Sequence, residues 1–97
     1  MMDWAETLYE EALSLWGKDA QIDMIVEECA ELILAIQKFR RSGDASGVIE
    51  ELADVQIMLE QANLIFSRKS ISKTYKDKLL RLASRIELDK INRAAMR

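Results

Sequence analysis

The sequence predicts an all-α protein: a single four-helix-bundle-like domain over residues 1–97, completed by a second copy of the chain. Three observations lead there. Proline is absent, and the only glycines, Gly17, Gly43 and Gly47, fall where the apolar pattern breaks. Between those breaks apolar residues recur at spacings of three and four, the period of a helix with one buried face. The chain has 97 residues, 49% hydrophobic and 32% charged, which fits one globular domain. A domain this short buries only about 60–65% of its unfolded surface, hence the expected partner copy.

The first helix is expected from Trp4 to Trp16. Asp3 with Glu6 three residues later makes a capping-box-like start, and Gly17 provides the stop. Trp4, Leu8, Ala12, Leu15 and Trp16 form its apolar stripe. Asp19 is the expected cap of a second helix from Ala20 to Arg41. There Ile22, Ile25, Cys29, Leu32, Ile33, Ile36 and Phe39 share a face, and Lys38, Arg40 and Arg41 suit the carboxyl end of the helix dipole. Residues 42–47 read as a loop offering Asp44 and Ser46 as caps. A third helix over Val48–Phe66 is expected to bury Val48, Leu52, Val55, Leu59, Ala62 and Phe66. After a polar break at residues 67–70, a fourth helix starts near Ser72. Tyr75, Leu79, Leu82, Ala83, Ile86 and Ile91 line its inner face, with Lys78, Arg81 and Arg85 on the adjoining stripe.

The longest unbroken apolar run, residues 32–36, is far below the roughly 20 residues of a membrane span. Asp3 and Glu6 stand where a secretory leader carries basic residues, so the expected location is the cytoplasm. The single cysteine, Cys29, reads as a small core residue in a reducing compartment. The net charge of −3 hides an asymmetry: −10 over residues 1–67 and +7 over residues 68–97. One part can gather cations while the other receives anions, or the basic helix simply neutralises the acidic part. Nucleic acid is a poor partner, because the acidic part repels a phosphate backbone.

The chemistry concentrates in a repeat. Val26-Glu27-Glu28-Cys29-Ala30-Glu31-Leu32 is restated as Ile49-Glu50-Glu51-Leu52-Ala53-Asp54-Val55, with like-for-like exchanges at the four positions that differ. Residues three apart share a helix face, so Glu28 pairs with Glu31 and Glu51 with Asp54, each pair at the edge of an apolar stripe. If the two helices pack together, four carboxylates meet, and their repulsion needs protons, basic partners or a cation to offset it. Hard oxygen donors suit Mg²⁺, Mn²⁺ or Ca²⁺. A di-iron carboxylate bundle calls for Glu-x-x-His pairs, and the chain has no histidine. One Glu-x-x-Glu alone is more often a solvated face. Two copies at equivalent positions favour a metal site. Glu27 and Glu50 lie further round their helices, toward solvent.

Glu27-Glu28-x-x-Glu31, 19 residues, then Glu51-x-x-Asp54 resembles the double motif of the MazG-type all-α nucleoside triphosphate pyrophosphohydrolases. The likeness extends over about residues 20–82 and includes Ile25-Val26, Ala35-Ile36-x-Lys38 and Ile57-Met58-Leu59. It implies a helical bundle assembled as a homodimer or dimer of dimers, with active sites near the subunit contact. It also implies Mg²⁺-dependent hydrolysis of a nucleoside triphosphate to the monophosphate and pyrophosphate, by a metal-activated water attacking the α-phosphorus. On this resemblance Glu28, Glu31, Glu51 and Asp54 are metal ligands, and Mn²⁺ is the natural substitute ion. Glu27 is the candidate general base, ahead of Glu50. Lys78 and Arg81 resemble the family's triphosphate-contacting pair, with Lys73 and Lys76 as alternatives, and Lys38 is a further phosphate contact.

Base recognition is less legible. Trp16, ahead of Trp4, is placed to stack on a base, and Gln21 or Asn63 to read its edge; such residues are more often core or helix-end packing. The alternative to an enzyme is a non-catalytic helical interaction module whose carboxylates pair with a basic partner.

Overall fold

The computed structural model describes residues 3–96. They form four helices: α1 (Trp4–Trp16), α2 (Lys18–Ser42), α3 (Ser46–Phe66) and α4 (Arg68–Ala95). There is no strand among the described residues, so the chain is all-α. No helix among them is long and apolar enough to cross a membrane. The chain divides into two compact units, Met1–Phe66 and Ser67–Arg97.

In the first unit α2 and α3 make the main contact, and α1 lies against both. The capping residues explain where the helices begin and end. Asp3 Oδ1 accepts a hydrogen bond from the Glu6 backbone N–H at 2.8 Å, satisfying one of the orphan donors of α1. Gly17, at φ 89°, donates to the Leu13 carbonyl and lets the chain turn straight into α2. Because α2 begins at Lys18, Asp19 lies inside its first turn rather than capping it, where its charge still suits the helix dipole. At the other end Gly43 takes a left-handed conformation, φ 76°, and donates to the Phe39 carbonyl at 2.7 Å. Ser42 Oγ then accepts from the Asp44 N–H, and Asp44 Oδ1 from the Ser46 N–H at 3.0 Å. The turn is therefore only Gly43, Asp44 and Ala45, and α3 starts two residues before the expected Val48.

Burial differs from the expected stripes. Val55 and Met58 are the buried apolar side chains, accompanied by Gln21 and Gln61. Leu52, Leu59 and Phe66 remain half exposed, so the buried face of α3 is turned by about one residue toward Met58 and Gln61. On α2, Ile22, Ile25, Cys29 and Leu32 are half-buried, whereas Ile33, Ile36 and Phe39 are exposed. On α1, Trp4, Leu8, Leu15 and Trp16 are exposed.

The second unit is the single helix α4. It begins at Arg68, earlier than expected, because Ser67 Oγ accepts from the Ser70 N–H and turns the polar break into a cap. Ser67 has φ 102°, the one non-glycine residue with positive φ among those described. Ion pairs between Lys73 and Asp77 and between Arg93 and Asp89 span one turn on the surface and add only a few tenths of a kcal/mol each. No residue of α4 is buried; Tyr75, Leu79, Leu82, Ile86 and Ile91 are all exposed.

Candidate metal centre

The antiparallel contact of α2 and α3 brings the two acidic motifs face to face. Glu28 from α2 and Glu51 and Asp54 from α3 each place a carboxylate oxygen within 4.8 Å of the other two. All three residues are half-buried. Glu28 Oε2 and Glu51 Oε2 are buried oxygens without a hydrogen-bond donor among the described residues.

The electrostatics record the crowding. Glu28 is pushed up to about 7, first by desolvation, then by the charges of Glu31, Asp54 and Glu51, and by a hydrogen bond shared with Glu51. Glu51 is also raised, by desolvation and the Glu31 charge, although its bond to Glu28 works in the opposite direction. The raised proton affinity of Glu28 relieves part of the repulsion. A divalent cation would relieve more of it, and the donor set, three carboxylates with two unsatisfied oxygens, fits a hard cation of the Mg²⁺ or Mn²⁺ kind.

Glu31 is exposed and lies outside the three converging oxygens, yet its charge is felt by both Glu28 and Glu51. It lines a cavity of about 260 Å³ together with Lys38, Phe39, Asp44, Glu50 and Glu51. Lys38 helps to hold the Asp44 carboxyl below its usual value, after the larger effect of the hydrogen bonds from Ser46. The structure thus puts Lys38 and Glu50 beside the carboxylates. Glu27 is exposed on α2 and is not among the converging groups. Lys78 and Arg81 are exposed residues of α4, in the second unit.

Comparison with protein-family models, with curated proteins and with solved structures finds no match. The functional reading therefore rests on the residues themselves.

Two turns from the carboxylates, a second polar feature interrupts the α2–α3 contact. Gln21 and Gln61 are 3% and 8% exposed, and Gln61 Oε1 has no hydrogen-bond partner among the described residues. Trp16 is 63% exposed at the end of α1 and lines the same cavity as these glutamines. Trp4 is exposed at the opposite end of α1, and Asn63 is half-buried on α3. Gln61 was not singled out from the sequence. Its signal is a spacing: it follows Asp54 by seven residues, as Gln21 precedes Glu28 by seven.

Proposed function

We propose that the chain is a MazG-type nucleoside triphosphate pyrophosphohydrolase that uses Mg²⁺, with Mn²⁺ as substitute, to convert an NTP or dNTP to the monophosphate and pyrophosphate. One observation carries the reading. Carboxylate oxygens of Glu28, Glu51 and Asp54 converge from two packed helices, and two buried oxygens there have no donor. Carboxylates left in that state, in a sequence whose motifs match Glu-Glu-x-x-Glu and Glu-x-x-Asp, are best explained as ligands awaiting a cation.

Glu28, Glu51 and Asp54 would hold the ion, with Glu31 completing the set from the rim. The bound ion supplies charge neutralisation at phosphate oxygens and a water of lowered pKa. Glu27, exposed beside Glu28 in sequence, is assigned the proton of the attacking water. Lys38, whose cavity adjoins the acidic set, is assigned to orient the phosphate chain. Trp16 offers an open aromatic face for stacking.

We also assign the bundle to more than one copy of the chain. The large apolar side chains left half exposed on α3 and throughout α4 are the support, since contiguous open apolar faces mark contact surfaces.

The test is a panel of the common NTPs and dNTPs incubated with Mg²⁺. Pyrophosphate as the first product, lost in Glu28→Gln, is the expected result. Orthophosphate as the first product indicates attack at the terminal phosphate and removes the mechanism. No turnover of any nucleotide leaves the interaction module as the better account.

A further inference from the structure

Two apolar stripes of this chain face solvent with opposite charge beside them. On α1, Trp4, Leu8, Glu11 and Leu15 follow one another at intervals of four, three and four, so they share one helix face. All four are exposed, Trp4 at 78% and Leu15 at 74%. The half-buried residues of α1, Ala5, Tyr9, Ala12 and Leu13, lie on its other side, toward α2 and α3. The helix carries Glu6, Glu10 and Glu11 and neither Lys nor Arg. On α4, Tyr75, Leu79, Leu82 and Ile86 repeat the same intervals and are also exposed. At 100° per residue Lys78 and Arg85 fall on one border of that stripe and Lys76 on the other, and residues 68–97 sum to +7.

Intervals of four, three and four are the seam spacing at which two helices interlock, each side chain filling a gap between those of the neighbour. Both stripes span about 17 Å at 1.5 Å per residue, so they match in length. The 28-residue helix α4 has no buried residue, and isolated helices are marginal in water. It gains most from a partner face. Charge decides which one. A second α4 brings the same bases and repels. α3 lacks bases, but Gln56 and Asn63 alternate with Leu52, Leu59 and Phe66 along its open stripe. In α1 a single polar residue, Glu11, interrupts the stripe, and it carries the charge that attracts the borders of α4.

We propose that α4 of one copy docks along the Trp4–Leu15 face of α1 of a second copy, and that the second copy's α4 docks on the first in return. The apolar stripe of α4 covers the Trp4 indole, and its border bases meet Glu10 and Glu11. Each copy uses both faces, so the assembly closes as a two-fold dimer. The assignment rests on the reading that more than one copy builds the bundle. It goes beyond that reading by naming which faces meet and the charge that selects them, and it holds whether or not the chain hydrolyses nucleotides.

Charge reversal separates this contact from any other. One variant carries Glu10→Lys and Glu11→Lys; the other carries Lys76→Glu, Lys78→Glu and Arg85→Glu. All five side chains are exposed, so neither variant disturbs a core. In sedimentation at low salt, wild type is expected as a dimer, and each variant alone shows a dissociation constant raised at least about tenfold. An equimolar mixture of the two variants recovers the wild-type affinity. Lysines on one copy's α1 then face glutamates on the other's α4, while the second contact is unchanged. Trp4 supplies a local readout. In a Trp16→Phe background it is the only indole, and its emission shifts to shorter wavelength as the dimer forms. Variants that stay apart when mixed overturn the proposal. So does a dimer indifferent to both variants, or one whose Trp4 emission does not change with concentration; these leave the multi-copy reading standing, with other faces in contact. Wild type that is monomeric at every concentration sinks both.

Discussion

Glu28 and Glu51 meet across the α2–α3 contact, and each keeps one buried carboxylate oxygen, Oε2, with no donor to satisfy it among the described residues. They belong to separate helices and equivalent positions of two similar heptapeptides. Nothing in α2 or α3 separately forces this crowding; it arises only when the helices pack.

Divalent cation should therefore stabilise the protein. We expect millimolar Mg²⁺ to raise the melting temperature, because a ligand that binds the folded state alone adds RT ln(1 + [L]/Kd) of stability. Asp54→Asn should blunt the rise. Glu28→Gln should raise the melting temperature without the ion and abolish the response to it. A melting temperature indifferent to Mg²⁺ removes the cation site.

The pH dependence has a definite sign. Glu28 holds its proton up to about 7, against an ordinary value of 4.5, and Glu51 is shifted in the same direction. Both carboxyls bind protons more tightly in the folded chain than in the unfolded one. The Glu28 contribution to stability is complete below about pH 4.5 and is lost as pH rises through about 7, and the Glu51 contribution has the same sign. Without divalent cation, melting curves between those limits should show wild type losing stability toward higher pH relative to Glu28→Gln. Stabilisation by Mg²⁺ should grow over the same interval, because the ion displaces the proton. Parallel curves for the two proteins contradict the assignment.

Met58 is the most deeply buried apolar side chain among the described residues, 6% exposed. Met58→Ala should cost about 2–3 kcal/mol in denaturant unfolding, near the lower end for a buried methionine because the adjoining cavity allows relaxation. A loss below about 1 kcal/mol shows that this packing does not hold the first unit together.

Gly43 tests the turn. Its φ of 76° is left-handed, and a methyl group there would meet nothing within 4 Å. The cost of Gly43→Ala is then purely one of backbone conformation, about 1 kcal/mol, and Gly43→Asn should recover part of it. Equal melting temperatures for all three proteins exclude a left-handed residue at this position.

Much of this arrangement is legible in the sequence. Gly17 and Gly43 mark helix ends because positive φ is needed there, and Asp3 caps α1 as its spacing to Glu6 requires. The acidic repeat reports the facing carboxylates because helix periodicity fixes which side chains share a face. What eluded the sequence follows from packing. The stripe on α3 predicts burial of Leu52 and Leu59, but the helix turns Met58 and Gln61 inward instead. A hydrophobic pattern ranks residues by polarity, so it places a glutamine outside and a leucine inside. Only the meeting of two helices reveals that Gln61 faces a cavity. The early start of α4 was equally hidden, since Ser67 and Ser70 read as a break until one caps the other.

The three residues Gly43, Asp44 and Ala45 join two helices of 25 and 21 residues, and their brevity sets the alignment of α3 against α2. One residue inserted into α3 ahead of Glu51 would swing its carboxylate by about 100° and slide it 1.5 Å. Every acidic side chain would survive, and the cluster would be gone. Chemistry here is encoded as a distance counted along the chain, so a deletion that spares all the charged letters can erase it more completely than a substitution that changes one.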